Sequence, residues 1–135
     1  MQEGAIALMQ MTRTVLAVNE LKKSNLPYIV VMTNPTTGGV SASFATLGDI
    51  LIGEPKSVIA FAGRRVIQNT VKEELPEDFQ TAEFVKDHGG IDLVVERQYL
   101  SSTIGTLLNV LLKKAEAQAK QDSNVTVDKS LQAVS

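Results

Sequence analysis

The sequence predicts an α/β fold in which parallel strands are interleaved with helices. Three observations carry this. Apolar runs such as Tyr28 to Thr33 are continuous rather than alternating, as in strands covered on both faces. Segments of helical spacing separate those runs along the chain. The length of 135 residues, 44% hydrophobic and 21% charged, suits one domain with an ordinary core.

The elements follow in order. Ala5 to about Lys23 holds good helix formers and neither Pro nor Gly. Ala5, Leu8, Met9, Thr12 and Leu16 fall on one stripe, and Ile6, Val15 and Val18 extend the apolar surface. Such a helix is expected to be buried on more than one side. It should stop near Ser24-Asn25, ahead of Pro27. Tyr28 to Thr33 is the first strand, and Asn34-Pro35-Thr36-Thr37-Gly38-Gly39 a tight loop. Val40 to Leu47, rich in small residues, is expected to be a short helix. Ile50-Leu51-Ile52 and Ser57 to Phe61 are two short strands joined by a turn at Gly53-Glu54-Pro55-Lys56. Ala62-Gly63 opens a helix through about Glu74, and Thr81 to Asp87 forms another, stopped by Gly89-Gly90. Ile91 to Val95 is a further strand, and Leu100 to about Ala119 a final helix. The polar stretch 115–135 is expected to be a flexible tail behind a domain spanning 1–114.

Composition excludes several classes. With 13 Lys plus Arg against 15 Asp plus Glu, no excess of cations exists to neutralise nucleic-acid phosphates. No apolar stretch approaches the ~18 residues of a membrane span. The absence of cysteine removes disulfides, Cys-based zinc sites and Cys nucleophiles from these residues.

Two places can host chemistry. Gly38-Gly39 follows a strand and precedes small residues, so backbone N–H groups there can approach an anion or oxyanion. The same spacing also describes an ordinary tight turn, which is the commoner use. Phe61-Ala62-Gly63-Arg64-Arg65 repeats the logic and adds two guanidinium groups for phosphate or carboxylate. A solvated pair or a structural salt bridge is its plain alternative. His88, the one histidine, sits at an expected helix end, and with no second His or Cys a metal site is not expected. Glu73-Glu74, Glu77-Asp78 and Glu83 are expected to be solvated charges. Ser41 and Ser43 have no base nearby in sequence for nucleophilic work.

Met1-Gln2-Glu3-Gly4 with Leu8-Met9-Gln10-Met11 resembles the β subunit of bacterial and plastid acetyl-CoA carboxylase carboxyltransferase. The resemblance continues in order through Leu26-Pro27-Tyr28-Ile29, then Thr33-Asn34-Pro35-Thr36-Thr37-Gly38-Gly39-Val40-Ser41-Ala42-Ser43-Phe44-Ala45. Leu47-Gly48-Asp49, Glu54-Pro55 and Phe61-Ala62-Gly63-Arg64-Arg65-Val66-Ile67 complete it. It covers about Met1 to Lys114.

The resemblance implies a partial crotonase-like fold. It implies transfer of a carboxyl group from carboxybiotin, on a biotin carboxyl carrier protein, to acetyl-CoA, giving malonyl-CoA for fatty acid synthesis. The implied partners are a carboxyltransferase α subunit, in an α2β2 assembly, and biotin carboxylase. The implied location is the bacterial cytoplasm or plastid stroma. Gly38 and Gly39 match the place where such enzymes put a backbone oxyanion donor for a CoA thioester. Val40, Phe61, Ala62, Gly63 and Arg65 are implied to line the substrate pocket. The family also carries, upstream, a four-Cys zinc ribbon and a Gly-Gly-Ala-Arg segment supplying the other oxyanion donor. Neither is present among these residues, so Met1 is expected to be an internal position of a longer chain. Two alternatives accompany this expectation: a non-catalytic piece keeping only fold and interaction surface, or another crotonase-like hydratase, isomerase or decarboxylase.

Overall fold

The computed structural model describes residues 3–113. The chain divides into two compact units, Met1–Leu100 and Ser101–Ser135. Within the second, residues 101–113 are helical. The expected end of that helix near Ala119 and the expected tail at 115–135 lie outside the described residues.

The first unit begins with α1 (Ala5–Lys23), closed by Ser24, whose backbone N–H reaches back to Glu20 and Leu21 carbonyls. Strand β1 is Ile29–Met32, β2 is Thr36–Thr37, and a 3-10 helix covers Phe44–Leu47. Then come β3 (Ile50–Gly53), β4 (Ile59–Ala60), α2 (Arg64–Val71), α3 (Ala82–Asp87) and β5 (Leu93–Val94). Residues 97–100 are helical.

Every strand pairing is parallel. One sheet has the order β1-β3-β5 and a second pairs β2 with β4. The chain therefore coils: β1 then β2, β3 then β4, with β5 returning to the first sheet. Successive strands belong to different sheets, so each can pair only with the next coil. That is why β3 and β4, joined by the expected turn, do not form a hairpin.

Aspartates start the new strands by the same device. Asp49, just before β3, accepts a hydrogen bond from the Tyr28 N–H at 2.8 Å and donates its own N–H to the Tyr28 carbonyl at 2.7 Å. Asp92, just before β5, does the same to Leu51, at 2.7 and 2.9 Å. Each carboxylate thus satisfies a backbone donor at the edge of the preceding strand.

Val30, Met32, Ala45, Ile59, Ala82 and Ile91 form the core. Gly53 sits within it because a Cβ there would meet Ile91, Ala82 and Ile59 at 2.8 to 3.1 Å. Burial in β1 alternates, with Val30 and Met32 inside and Ile29 and Val31 half-covered.

Four expectations are corrected. Residues 38–43 are consecutive turns, and only Phe44–Leu47 is helical, as 3-10. The hydroxyls of Ser41, Ser43 and Thr46 take carbonyls that a regular helix would use, the ordinary way such side chains compete with helix. Thr36–Thr37, expected to be loop, is β2, paired with β4. Helix α1 is covered on one side only: Val18 is buried, and Met11, Thr14, Val15 and Leu21 are half-covered. Ile6, Leu8, Met9 and Leu16 of the expected buried surface are exposed. Helix α2 is also shorter than expected, because Lys72 adopts a left-handed conformation at its end.

Candidate active site

Strand β2 feeds the Gly38-Gly39 loop. The Gly38 N–H donates to the Phe61 carbonyl at 3.1 Å, which extends the β2–β4 ladder by one bond. Gly38 then takes φ +63°, a conformation that an L side chain resists and glycine accepts freely. The chain turns there.

Two buried serines gather the carbonyls that follow. The Ser41 hydroxyl lies 2.9 Å from the Gly38 carbonyl and 2.7 Å from the Ala60 carbonyl. The Ala42 N–H also donates to Gly38, at 3.0 Å. The Ser43 hydroxyl donates to the Gly39 carbonyl at 2.5 Å. Among the described residues, the N–H groups of Gly39 and Val40 meet no acceptor.

Gly39 and Val40 line a cleft of about 330 Å³, closed on the other side by Leu8, Met11 and Thr14 of α1 and on its floor by Phe44. A Cβ at Gly39 would lie 3.6 Å from the Met11 sulfur. A second cavity, of about 430 Å³, lies along β1 and β2, with Val40 and Phe44 in its wall too. No ionisable side chain lines either cavity. What this loop offers a ligand is therefore backbone dipoles and apolar surface.

The second predicted segment adjoins the first through backbone. The Phe61 carbonyl holds Gly38 while the Phe61 ring stands 71% exposed. Ala62 is held from behind by Gln80, whose buried side-chain amide donates to the Ala62 carbonyl at 2.7 Å. Gly63 precedes α2 in an extended conformation. The two arginines differ. Arg64 donates to the carbonyls of Leu75 at 2.7 Å and Glu77 at 2.9 Å, pinning the segment after α2. Arg65 is exposed, with no hydrogen bond or ion pair among the described residues.

Sequence reasoning missed Gln80, Ser41 and Ser43 as parts of this region. Gln80 carried no signal, since its position beside Ala62 depends on the antiparallel Val58–Thr81 bridge just before β4. The serines did carry one: two hydroxyls one residue apart just after a glycine pair.

His88 lies elsewhere. Its ring stacks on Phe84 at 4.1 Å, and its Nδ1 donates to the Phe84 carbonyl at 2.8 Å. Phe84 in turn meets Phe79 edge-on at 5.3 Å. Among the described residues no group of three or more His, Asp or Glu is placed to hold a metal ion.

No family model matches the chain. Among curated proteins it is similar to the acetyl-coenzyme A carboxylase carboxyl transferase subunit beta of Pelagibacter ubique, 57% identical over 95% of this chain and 41% of that protein. The protein of the same name from Sinorhizobium medicae is 54% identical over 91% of this chain and 40% of its own length. That from Hydrogenobaculum is 56% identical over 84% and 42%. The chain thus spans about two fifths of the length of the curated relatives it matches. Among solved structures it is similar to transcarboxylase 12S, crystallised with hydrolysed methylmalonyl-coenzyme A bound. The TM-score is 0.59 at 28% identity, over 70% of this chain and 18% of that one. Parallel coiled strands, a partial crotonase-like fold and this level of identity agree, and the chain belongs to the family of acetyl-coenzyme A carboxylase carboxyl transferase β subunits.

Proposed function

We propose that this chain contributes the oxyanion cradle of a carboxyltransferase that moves a carboxyl group from carboxybiotin to acetyl-CoA, giving malonyl-CoA for fatty acid synthesis. One observation carries the proposal. Among the described residues, the Gly39 and Val40 N–H groups are without acceptors and border a cleft that no ionisable side chain lines. Removing the α-proton of a thioester places negative charge on its oxygen. Fixed N–H dipoles stabilise that charge as it develops, and most strongly once water is excluded. The Gly38 N–H is committed to Phe61, so Gly39 is the inner donor and Val40 its neighbour.

Carboxybiotin, the second substrate, supplies the carboxyl group and a ureido nitrogen able to take the α-proton. The task left to this chain is to hold the thioester oxygen and exclude water. Phe61, Ala62, Gly63 and Arg65 adjoin the loop through the Phe61–Gly38 bond. Their proposed role is to line the acyl-CoA pocket, with exposed Arg65 available to an anionic group of CoA.

The relatives are named as subunits, and the proposed partners are a carboxyltransferase α subunit, a biotin carboxyl carrier protein and biotin carboxylase. The proposed location is the bacterial cytoplasm or plastid stroma. No helix among the described residues is long and apolar enough to cross a membrane. A non-catalytic role is favoured only by the two-fifths span. A hydratase or isomerase is the other alternative; the names of the curated relatives favour carboxyl transfer over it.

The test is Gly39→Val in the assembled enzyme. The first side-chain carbon has room against Met11, so the branched methyls fill the cleft rather than break the turn. Valine keeps its backbone N–H but holds the thioester oxygen away from it, so malonyl-CoA formation should fall by roughly 10²-fold, the order of loss when one oxyanion donor goes unused. An unchanged rate removes the loop from the mechanism.

A further inference from the structure

We infer that Ser41 and Ser43 are positioning residues, which aim the Gly39 and Val40 N–H groups by holding the carbonyls of the same two peptide units. The inference rests on the oxyanion role proposed above and goes beyond it, to what preorganises the donors.

The argument starts from the peptide plane. In a trans peptide the C=O and the following N–H point in opposite directions. The Gly38 carbonyl and the Gly39 N–H share one plane, and the Gly39 carbonyl and the Val40 N–H share the next. Fixing each carbonyl therefore fixes the direction of the N–H beyond it. Ser41 acts on the first plane and Ser43 on the second, at 2.9 and 2.5 Å. Both side chains are buried, at 8% and 6% exposure.

Ser41 does more than make a local back-bond. Its oxygen also lies 2.7 Å from the Ala60 carbonyl at the end of β4. With one proton it donates to one carbonyl at a time. It sits at the junction where β4 ends and the loop begins, and the Gly38–Phe61 bond flanks it. The loop is thus tied to the second sheet as well as to itself. Among the described residues, the Gly38 carbonyl would keep only the Ala42 N–H without the serines and the Gly39 carbonyl no partner, and rotation of these planes would turn the donors away from the cleft. Donors that need no reorganisation at the moment of reaction are what oxyanion stabilisation requires.

The experiment compares Ser41→Ala, Ser43→Ala and Gly39→Val in the assembled enzyme. Each serine variant should lower kcat by about tenfold, the effect of one misaimed hydrogen bond, with KM for acetyl-CoA within about twofold. Inhibition by S-ethyl-CoA, a thioether without the carbonyl oxygen, should not change in Ser41→Ala, because Ser41 lies outside the cleft lining and acts through a donor to that oxygen. Ser43→Thr, which restores the hydroxyl, should recover most of the rate. Should Ser43→Ala fail to assemble, Ser43→Cys carries the same test through its weaker donor, with a smaller loss of kcat expected. The inference is overturned if kcat is unchanged, or if kcat, KM and S-ethyl-CoA inhibition all worsen together as in a merely loosened fold. If Gly39→Val is crippled while the serine variants are not, positioning fails and the cradle stands. If Gly39→Val is also unaffected, the cradle itself fails.

Discussion

Glu54 and Arg97 show how a single contact across the coil carries its own pH signature. The Arg97 guanidinium donates to both Glu54 oxygens, at 2.6 and 2.8 Å, a forked geometry that carboxylates favour. These hydrogen bonds and the guanidinium charge hold the Glu54 carboxyl below its usual value of 4.5. A carboxyl lowered by folding stabilises the protein above its unfolded value, and that contribution is lost as pH falls through the folded one. The melting temperature of the native protein should therefore exceed that of Glu54→Gln above pH 4.5. The gap should close as pH falls below 4.5 through the lowered value, and it should shrink in high salt because Arg97 is largely exposed. A gap that persists unchanged at low pH contradicts the assignment. At this scale the sequence was legible in part. Gly38-Gly39 stood out as a pair, but their different tasks follow from the Phe61 carbonyl, which only pairing of β2 with β4 brings to Gly38. Arg64 and Arg65 read alike in sequence, yet one spends its donors on Leu75 and Glu77 carbonyls and the other remains exposed.

The elements were legible where hydrophobicity decided them and obscure where side-chain hydrogen bonds did. Strands β1 and β3 and helices α1 and α3 follow from apolar runs, helix formers and stop signals. Thr81 even caps α3 with its side chain, accepting the Phe84 N–H, as its position before the helix implies. β2 was hidden because two threonines between Pro35 and Gly38 have no periodicity to display. Residues 40–43 read as helix because they are small and helix-compatible, while the serine hydroxyls decide otherwise. The aspartate latches were likewise invisible, since Asp49 looks like an ordinary loop acid and Asp92 falls inside the expected strand 91–95, which is observed only as Leu93–Val94. They should matter. Replacing Asp92 with Ala removes the acceptor for the Leu51 N–H, whose unmet donor costs about 1–2 kcal/mol. A chemical denaturation midpoint should fall accordingly, with the slope unchanged. An unchanged midpoint shows that water takes over the bond and that the latch is dispensable.

At the scale of the molecule, the loop and its cleft are complete in local geometry but open in context. Helix α1, which forms one wall of the cleft, lines it with Leu8, Met11 and Thr14, and leaves Leu8 66% and Met9 70% exposed. A thioester bound there would stand in water on that side. Water competes for the Gly39 and Val40 N–H groups and weakens every dipole by raising the local dielectric. The fold class was fully legible from the continuous strands and the ordered motifs. The one-sided cover of α1 was not, because an apolar helix surface in sequence does not say which chain covers it. The consequence is testable with purified material. This chain alone, given acetyl-CoA and free carboxybiotin, should form no malonyl-CoA above the uncatalysed rate. It should bind an environment-sensitive hydrophobic dye, and replacing Leu8 and Met9 together by Lys should reduce that binding, since both residues face solvent. Adding a polypeptide that spans the part of the curated relatives outside this chain's match, together with the proposed α subunit, should suppress dye binding and bring turnover in the same titration, because one event would cover α1 and dry the cleft. Turnover by the chain alone would show that Gly39 and Val40 hold the oxygen without exclusion of water, and the link between cover and catalysis would fall.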